Sequence, residues 1–234
     1  QNRIKSWFNQ GFIFFKAKDI VSGDFYRLFK HESKDIRIVI AADCTGHGVP
    51  AAFMTVLGNT LLADIVEHKN IYMPDQILYE LDKQIIGFLE KHKDEFGTVN
   101  DGMDMAILSI IDNKIYFSGA KNPVVIIKNG DLSIFKGSKY PIGGFGTDRE
   151  EKIFELHEME ANIGARYYIY SDGFQDQFGG EKGKKYMTKK FRRTLLNTSG
   201  EDMESQRKKL EKEFENWKSN TPQTDDVLIV GLEL

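Results

Sequence analysis

The sequence predicts an α+β fold, a four-layer α-β-β-α sandwich of two antiparallel sheets flanked by helix pairs. Three observations carry this. The segments run in the order strands, two helices, many strands, two helices, one strand. Short turn signals, Asp112-Asn113 and Asn129-Gly130, join successive strands into hairpins, which implies antiparallel pairing. The helices arrive in pairs, which suits them to cover the outer faces of two packed sheets.

Taken in order, residues 1–11 read as a linker or the end of an upstream helix, and one domain runs over 12–234. Phe12 to Lys16 is a short strand. Asp24 to Phe29 and Ile36 to Ala42 are two strands joined by a charged hairpin, His31 to Asp35. The second is apolar on both faces and therefore central. Pro50 to Glu67 is a helix with Phe53, Leu57, Leu61 and Ile65 as its buried stripe, widened by Met54 and Leu62. Gly58 inside it favours close packing. Pro74 to Lys93 is a second helix, burying Ile77, Leu78, Leu81, Ile85, Phe88 and Leu89. Strands follow at 105–111, 114–118, 123–128, 132–135, 152–157 and 167–171, then a polar, glycine-rich loop at 172–183. Helices at 188–197 and 202–218 and a strand at 226–234 complete the chain.

Composition narrows the function. A formal net charge of −3 gives no basis for nucleic-acid binding. Cys44 is the sole cysteine, so an internal disulfide and a thiol-rich zinc site are excluded; this fits a reducing cytoplasm. No apolar run reaches the roughly 20 residues of a membrane span, so no membrane contact by this domain is expected. The chain opens on Gln rather than Met and reads as a piece of a longer protein, which could itself be membrane-anchored.

Four acids share one pattern. Asp24, Asp43, Asp172 and Asp225 each sit at the end of an apolar strand beside Gly, Ser, Thr or another acid. Taken singly, each is most simply a solubilising charge. Together they suit hard divalent cations, which prefer oxygen ligands and can clamp a phosphate. His47, in the turn Gly46-His47-Gly48, is either a general acid or a turn histidine bonded to nearby backbone. The sequence places no basic partner beside the Cys44 thiol, which reads as a buried filler. Ser171 lacks the Gly-x-Ser-x-Gly frame of a serine hydrolase.

The ordered pieces VSGDFY, ADCTGHGVPAAFM, GAKNPVVII, PIGG, IYSDGFQDQFGG and TDDVLIV resemble the SpoIIE/RsbU-type branch of the metal-dependent serine/threonine phosphatases, related to protein phosphatase type 2C. The resemblance covers about 12–234. It implies catalysis by Asp24, Asp43, Asp172 and Asp225 around two ions, Mn²⁺ or Mg²⁺, with Asp43 bridging them. The Cys44 carbonyl is implied as a further ligand, and Asp226 lies beside Asp225. A third, weaker ion in related enzymes would fall near Asp101 or Asp104. His47 stands four residues after Asp43 rather than two, so it does not align with the general acid of those relatives. No counterpart of the phosphate-binding arginine of the eukaryotic relatives is evident.

The resemblance further implies hydrolysis of phosphoserine or phosphothreonine on a STAS-type anti-anti-sigma protein by a domain C-terminal to a sensor. A homodimer is compatible with it. Helices 50–67 and 74–93, with Leu57 and Leu81 at their cores, would be the switch that moves Asp43. Two other readings stay open: a silent docking module, and a two-metal enzyme acting on nucleotides or other small phosphate esters.

Overall fold

The computed structural model describes residues 2–8, 10–31, 33–46, 49–92, 102–144 and 152–234. A short helix, α1 (Asn2–Trp7), leads into β1 (Gln10–Lys16). The hairpin β2 (Asp24–His31) and β3 (Ile36–Cys44) follows, then the helices α2 (Val49–Ala63) and α3 (Pro74–Lys91). The long meander contains β4 (Gly102–Ile111), β5 (Lys114–Ala120), β6 (Val124–Lys128), β7 (Asp131–Phe135), β8 (Ile142–Gly143), β9 (His157–Glu160) and β10 (Arg166–Tyr170). The chain continues through a single helical turn, α4 (Gly173–Asp176), and a small ribbon of β11 (Phe178–Gly179) and β12 (Lys184–Lys185). Helices α5 (Thr188–Thr198) and α6 (Met203–Lys218) precede the last strand, β13 (Val227–Glu233).

The strands form two large antiparallel sheets. One has the order β1-β13-β10-β6-β7, the other β2-β3-β4-β5-β9 with β8 paired to β4. Three apolar layers separate four structural layers, as the α-β-β-α sandwich requires. Ile38, Ile40, Leu62, Ile77 and Leu81 fill the space between the second sheet and α2/α3. Val39, Ala41, Leu108, Phe117, Ile169 and Leu228 fill the space between the sheets. Tyr168, Tyr170, Phe191, Leu210 and Phe214 lie between the first sheet and α5/α6. Strand β3 alternates between the first two layers and is buried on both faces, so its continuous apolar run has a direct cause.

Several expectations need correction. On α2, Met54 and Leu62 are buried as expected, with Ala51 and Gly58 beside them, whereas Phe53 is 37% exposed. This helix is apolar on almost every side, so periodicity alone could not choose its inner face. A Cβ on Gly58 would lie 3.0 Å from Met103 Cε and 3.1 Å from Phe25 Cζ, which explains the glycine. α2 ends in a π-helical turn, Asp64–His68, that the sequence reading had merged into it. The strand expected at 152–157 forms instead at His157–Glu160. Its place is taken by an irregular tether, in which Lys152 Nζ donates to Asp82 Oδ1 (2.6 Å) and to the carbonyls of Gly143 (2.6 Å) and Pro141 (3.0 Å). The segment 172–183, read as loop, contains α4 and half of the ribbon. For residues 1–11, expected as a linker or the end of an upstream helix, the structure has the short helix α1, with Ile4 buried in the layer between the sheets.

Candidate active site

The site is built from strand ends that open on one edge of the layer between the sheets. In β2, Tyr26 and Leu28 face that layer; in β3, Val39 and Ala41 do; in β4, Ala106 and Leu108 do. Side chains two apart share a face, so Asp24, Asp43 and Asp104 continue these inner rows. The register aligns them: Asp24 pairs with Asp43, and Asp43 pairs with Asp104. Three carboxylates thus stand side by side across three neighbouring strands.

The other sheet supplies the opposite wall. Tyr167 and Ile169 of β10 face the inner layer, and Ser171 follows in the same phase. Its hydroxyl donates to Asp24 Oδ2 at 2.5 Å and accepts from the Leu228 N–H at 3.0 Å. Asp172 comes next, at the position preceding α4, with no capping hydrogen bond from its side chain. Gly173 is obligatory here, because a Cβ would stand 1.8 Å from the carbonyl oxygen of Asp226. That close approach sets the Asp172 turn against the Asp225-Asp226 segment.

Asp226 is structural. Its two carboxylate oxygens accept from the Lys18 and Gly23 N–H groups, each at 2.7 Å, which ties the loop before Asp24 to β13. Asp225 Oδ1 accepts from the Asp226 N–H at 2.8 Å. Thr55 of α2 donates to the carbonyls of Ser22 (3.2 Å) and Gly23 (3.1 Å), so the first switch-candidate helix holds the same loop. The Cys44 side chain is buried on the helix side of the sheet, with Sγ 3.7 Å from Thr55 Oγ1. The filler role expected of it agrees with that position. Thr45 exchanges backbone and side-chain hydrogen bonds with Gly102, fastening the start of the glycine turn to β4.

Burial and like charge act strongly on these acids. Burial, followed by the charges of Asp24, Asp172, Asp225 and Asp104, pushes Asp43 up to about 9. Asp24 is pushed up to about 8, again chiefly by burial; the Ser171 hydrogen bond opposes the shift and Asp226, Asp225 and Asp172 add to it. Burial and the neighbouring Asp176 and Asp225 raise Asp172 to about 6. Asp225 and Asp104 are also raised by burial, the latter against the opposing charge of Lys121. The predicted acids therefore sense one another through space. Among the described residues no three His, Cys, Asp or Glu side chains are closed into a metal-holding cage. The arrangement is a cluster of mutually repelling carboxylates.

Asp104 was grouped with Asp101 as a candidate for a third ion. It stands in register beside Asp43, and its Oδ1 lies 3.3 Å from Lys121 Nζ. Asp101, His47 and Gly48 lie outside the described residues. No signal in the sequence marked Lys121, which lies in the turn just after β5. Ser171 was weighed as a nucleophile and instead holds Asp24.

The family model described as stage II sporulation protein E (SpoIIE) matches residues 33–234. No curated protein matched the chain. Among solved structures, the PP2C domain of SiaA from Pseudomonas aeruginosa is 25% identical, with a TM-score of 0.83 over 96% of this chain and 85% of that one. The PP2C phosphatase domain of SpoIIE from Bacillus subtilis, solved with a fragment of its regulatory domain, is 18% identical, with a TM-score of 0.72 over 96% and 62%. The RsbU and RsbW domains of a Mycobacterium tuberculosis protein give 18% identity and a TM-score of 0.67 over 95% and 59%. The chain thus spans less than two thirds of the latter two.

Proposed function

The chain belongs to the SpoIIE family, and we propose that it is a metal-dependent phosphatase acting on phosphoserine or phosphothreonine in a regulatory protein. Its homologues are serine/threonine phosphatase domains of the PP2C type, and phosphatases of that type are metal-dependent. In this reading Asp24, Asp43, Asp172 and Asp225, with the Cys44 carbonyl, would hold two ions, Mn²⁺ or Mg²⁺.

The observation that carries the reading is the pairing of Asp24 with Asp43 on one face, joined to the Asp172 turn through Ser171. The residues fit such ions. Every donor offered is an oxygen, the ligand that hard cations take. The acids raise one another's pKa, and a divalent charge among them reverses that effect. When bound, the ions supply charge neutralisation to phosphoryl oxygens and a water acidified towards neutral pH. The chain's own residues do the positioning. Ser171 orients the Asp24 carboxylate, Asp226 fixes the loop that carries it, and Gly173 lets Asp172 and Asp225 approach.

We place the substrate among phosphorylated STAS-type anti-anti-sigma proteins and the domain as the cytoplasmic output of a larger sensor protein. The SpoIIE structure with its regulatory fragment and the joined RsbU and RsbW domains support that setting by analogy. No described helix is long and apolar enough to cross a membrane. The helices α2 and α3 are the proposed switch, since Thr55 of α2 bonds the loop before Asp24.

Phosphate release with and without Mn²⁺ separates the readings. Release from an aryl phosphate and a phosphoserine protein supports the proposal. Release from neither favours a silent docking module, and preference for a nucleotide favours a small-ester hydrolase.

A further inference from the structure

We propose that Lys121 binds the substrate phosphoryl group at the rim of the carboxylate cluster. This rests on the phosphatase reading and deepens it, by supplying the phosphate-binding cation that the sequence motifs did not reveal.

In β5, Ile115 and Phe117 face the layer between the sheets; the strand ends at Ala120, paired with the residue after Asp104, and Lys121 follows in the turn just beyond it. The Lys121 ammonium lies 3.3 Å from Asp104 Oδ1, and Asp104 is paired with Asp43 on the next strand. The side chain is still 43% exposed. An ammonium has three donors, and one carboxylate at this separation does not saturate it.

The turn that carries Lys121 is closely built. Its N–H donates to the Ser138 carbonyl at 2.8 Å, and the Asn122 N–H donates to the Ala120 carbonyl at 2.7 Å. The Asn122 carbonyl oxygen passes 2.2 Å from where a Cβ of Gly119 would lie and 2.6 Å from that of Gly137, so both positions exclude a side chain. Lys121 itself has φ +61°, in the left-handed region that favours glycine or asparagine. A lysine brings nothing to such a turn as a backbone former. What it brings is a cation beside Asp104, and non-glycine residues in this region gather at functional positions.

Two other lysines act on the cluster from different positions: Lys18, on Asp225, and Lys185, on Asp172. Lys185, whose charge acts on Asp172, is engaged by Asp176 at 2.7 Å on the ribbon side. Lys121 thus stands beside the Asp43 row with Asp104 as a tether. A doubly charged phosphoryl group offers its ammonium a stronger acceptor than a single carboxylate.

The test uses the whole chain with Mn²⁺, an aryl phosphate as substrate and inorganic phosphate as competitive inhibitor. Lys121→Met should raise both KM and the phosphate inhibition constant by about tenfold or more, the loss of one hydrogen bond to a charged group. Mn²⁺ affinity, read by calorimetry, should not fall, because the lysine is a cation beside the cluster and not a metal ligand. Lys121→Arg should retain most phosphate affinity. If Lys121→Met does not fold, Lys121→Gln, which keeps a donor without the charge, should show the same direction of change. Unchanged phosphate inhibition in a folded variant overturns the proposal, as does an equal effect from Lys185→Met. A wild-type protein without Mn²⁺-dependent turnover overturns the phosphatase reading itself, an outcome visible before any variant is made.

Discussion

The Ser171 hydroxyl donates a 2.5 Å hydrogen bond to Asp24 Oδ2 across 147 residues of chain, linking the end of one sheet to the first strand of the other. The same hydroxyl accepts from the Leu228 N–H, so the Asp24 carboxylate is tied through one side chain to the backbone of β13. Two strand-end aspartates on different sheets are held in one cluster by a residue that carries no charge.

Ser171→Ala therefore tests positioning. The variant should fold, because the cavity is small, yet its divalent-cation affinity should fall by about 10–100-fold, the usual effect of losing a partner that orients a ligand. Calorimetric titration with Mn²⁺ measures it. Affinity equal to wild type would show that Asp24 needs no such support.

The pH dependence has a definite sign. Asp24 and Asp43 have folded-state pKa values pushed up to about 8 and about 9 from an unfolded value of 3.8. Between these limits the native state holds protons that the unfolded chain releases, so metal-free stability falls as pH rises from about 4 to about 9. Below that window both states are protonated and the effect vanishes. Divalent cations compete with those protons, so the gain in Tm on adding Mn²⁺ should grow from pH 5 to pH 9. Thermal melts at pH 5, 7 and 9, with EDTA or Mn²⁺, check both slopes.

Gly173→Ala places a methyl group 1.8 Å from the Asp226 carbonyl oxygen. Backbone must move to admit it, at a cost of about 1–3 kcal/mol or more. The move separates Asp172 from Asp225, so activity should be lost even at temperatures where the variant remains folded. Denaturant unfolding alongside turnover distinguishes the two effects.

The four aspartates were legible because each interrupts an apolar strand at its end, and the topology brings those ends to one edge. Asp104 was less legible. Residues 102–104 look like loop, and only pairing with β3 and β8 extends β4 back through them. Lys121 and Ser171 carry no local signal for their roles, since their partners lie on other strands. Likewise, α2 hides its inner face by being apolar around most of its circumference, while the Lys152 tether depends on Asp82, 70 residues away. Local pattern reveals which side chains can do chemistry; register and long-range contacts decide which of them meet.

That tether can be tested too. Lys152 and Asp82 are 16% and 13% exposed, and the Gly143 N–H also donates to Asp82 Oδ1. Lys152→Met leaves a mostly buried carboxylate without its cation and should destabilise the fold by roughly 3 kcal/mol. Because Gly143 pairs with Gly102, and Gly102 bonds Thr45 next to the glycine turn, Mn²⁺ affinity should fall as well. Urea unfolding and metal titration read the two consequences separately.

The central claim is that Asp43 stands at the heart of a metal-dependent phosphatase centre. Phosphate release from a phosphoserine-bearing STAS protein in Mn²⁺, compared between wild type and Asp43→Asn, tests it most directly. The account predicts Mn²⁺-dependent release by wild type and a loss of at least about a thousandfold in the folded variant, consistent with removing a group that stabilises developing charge. Undiminished Mn²⁺-dependent release by Asp43→Asn would contradict it.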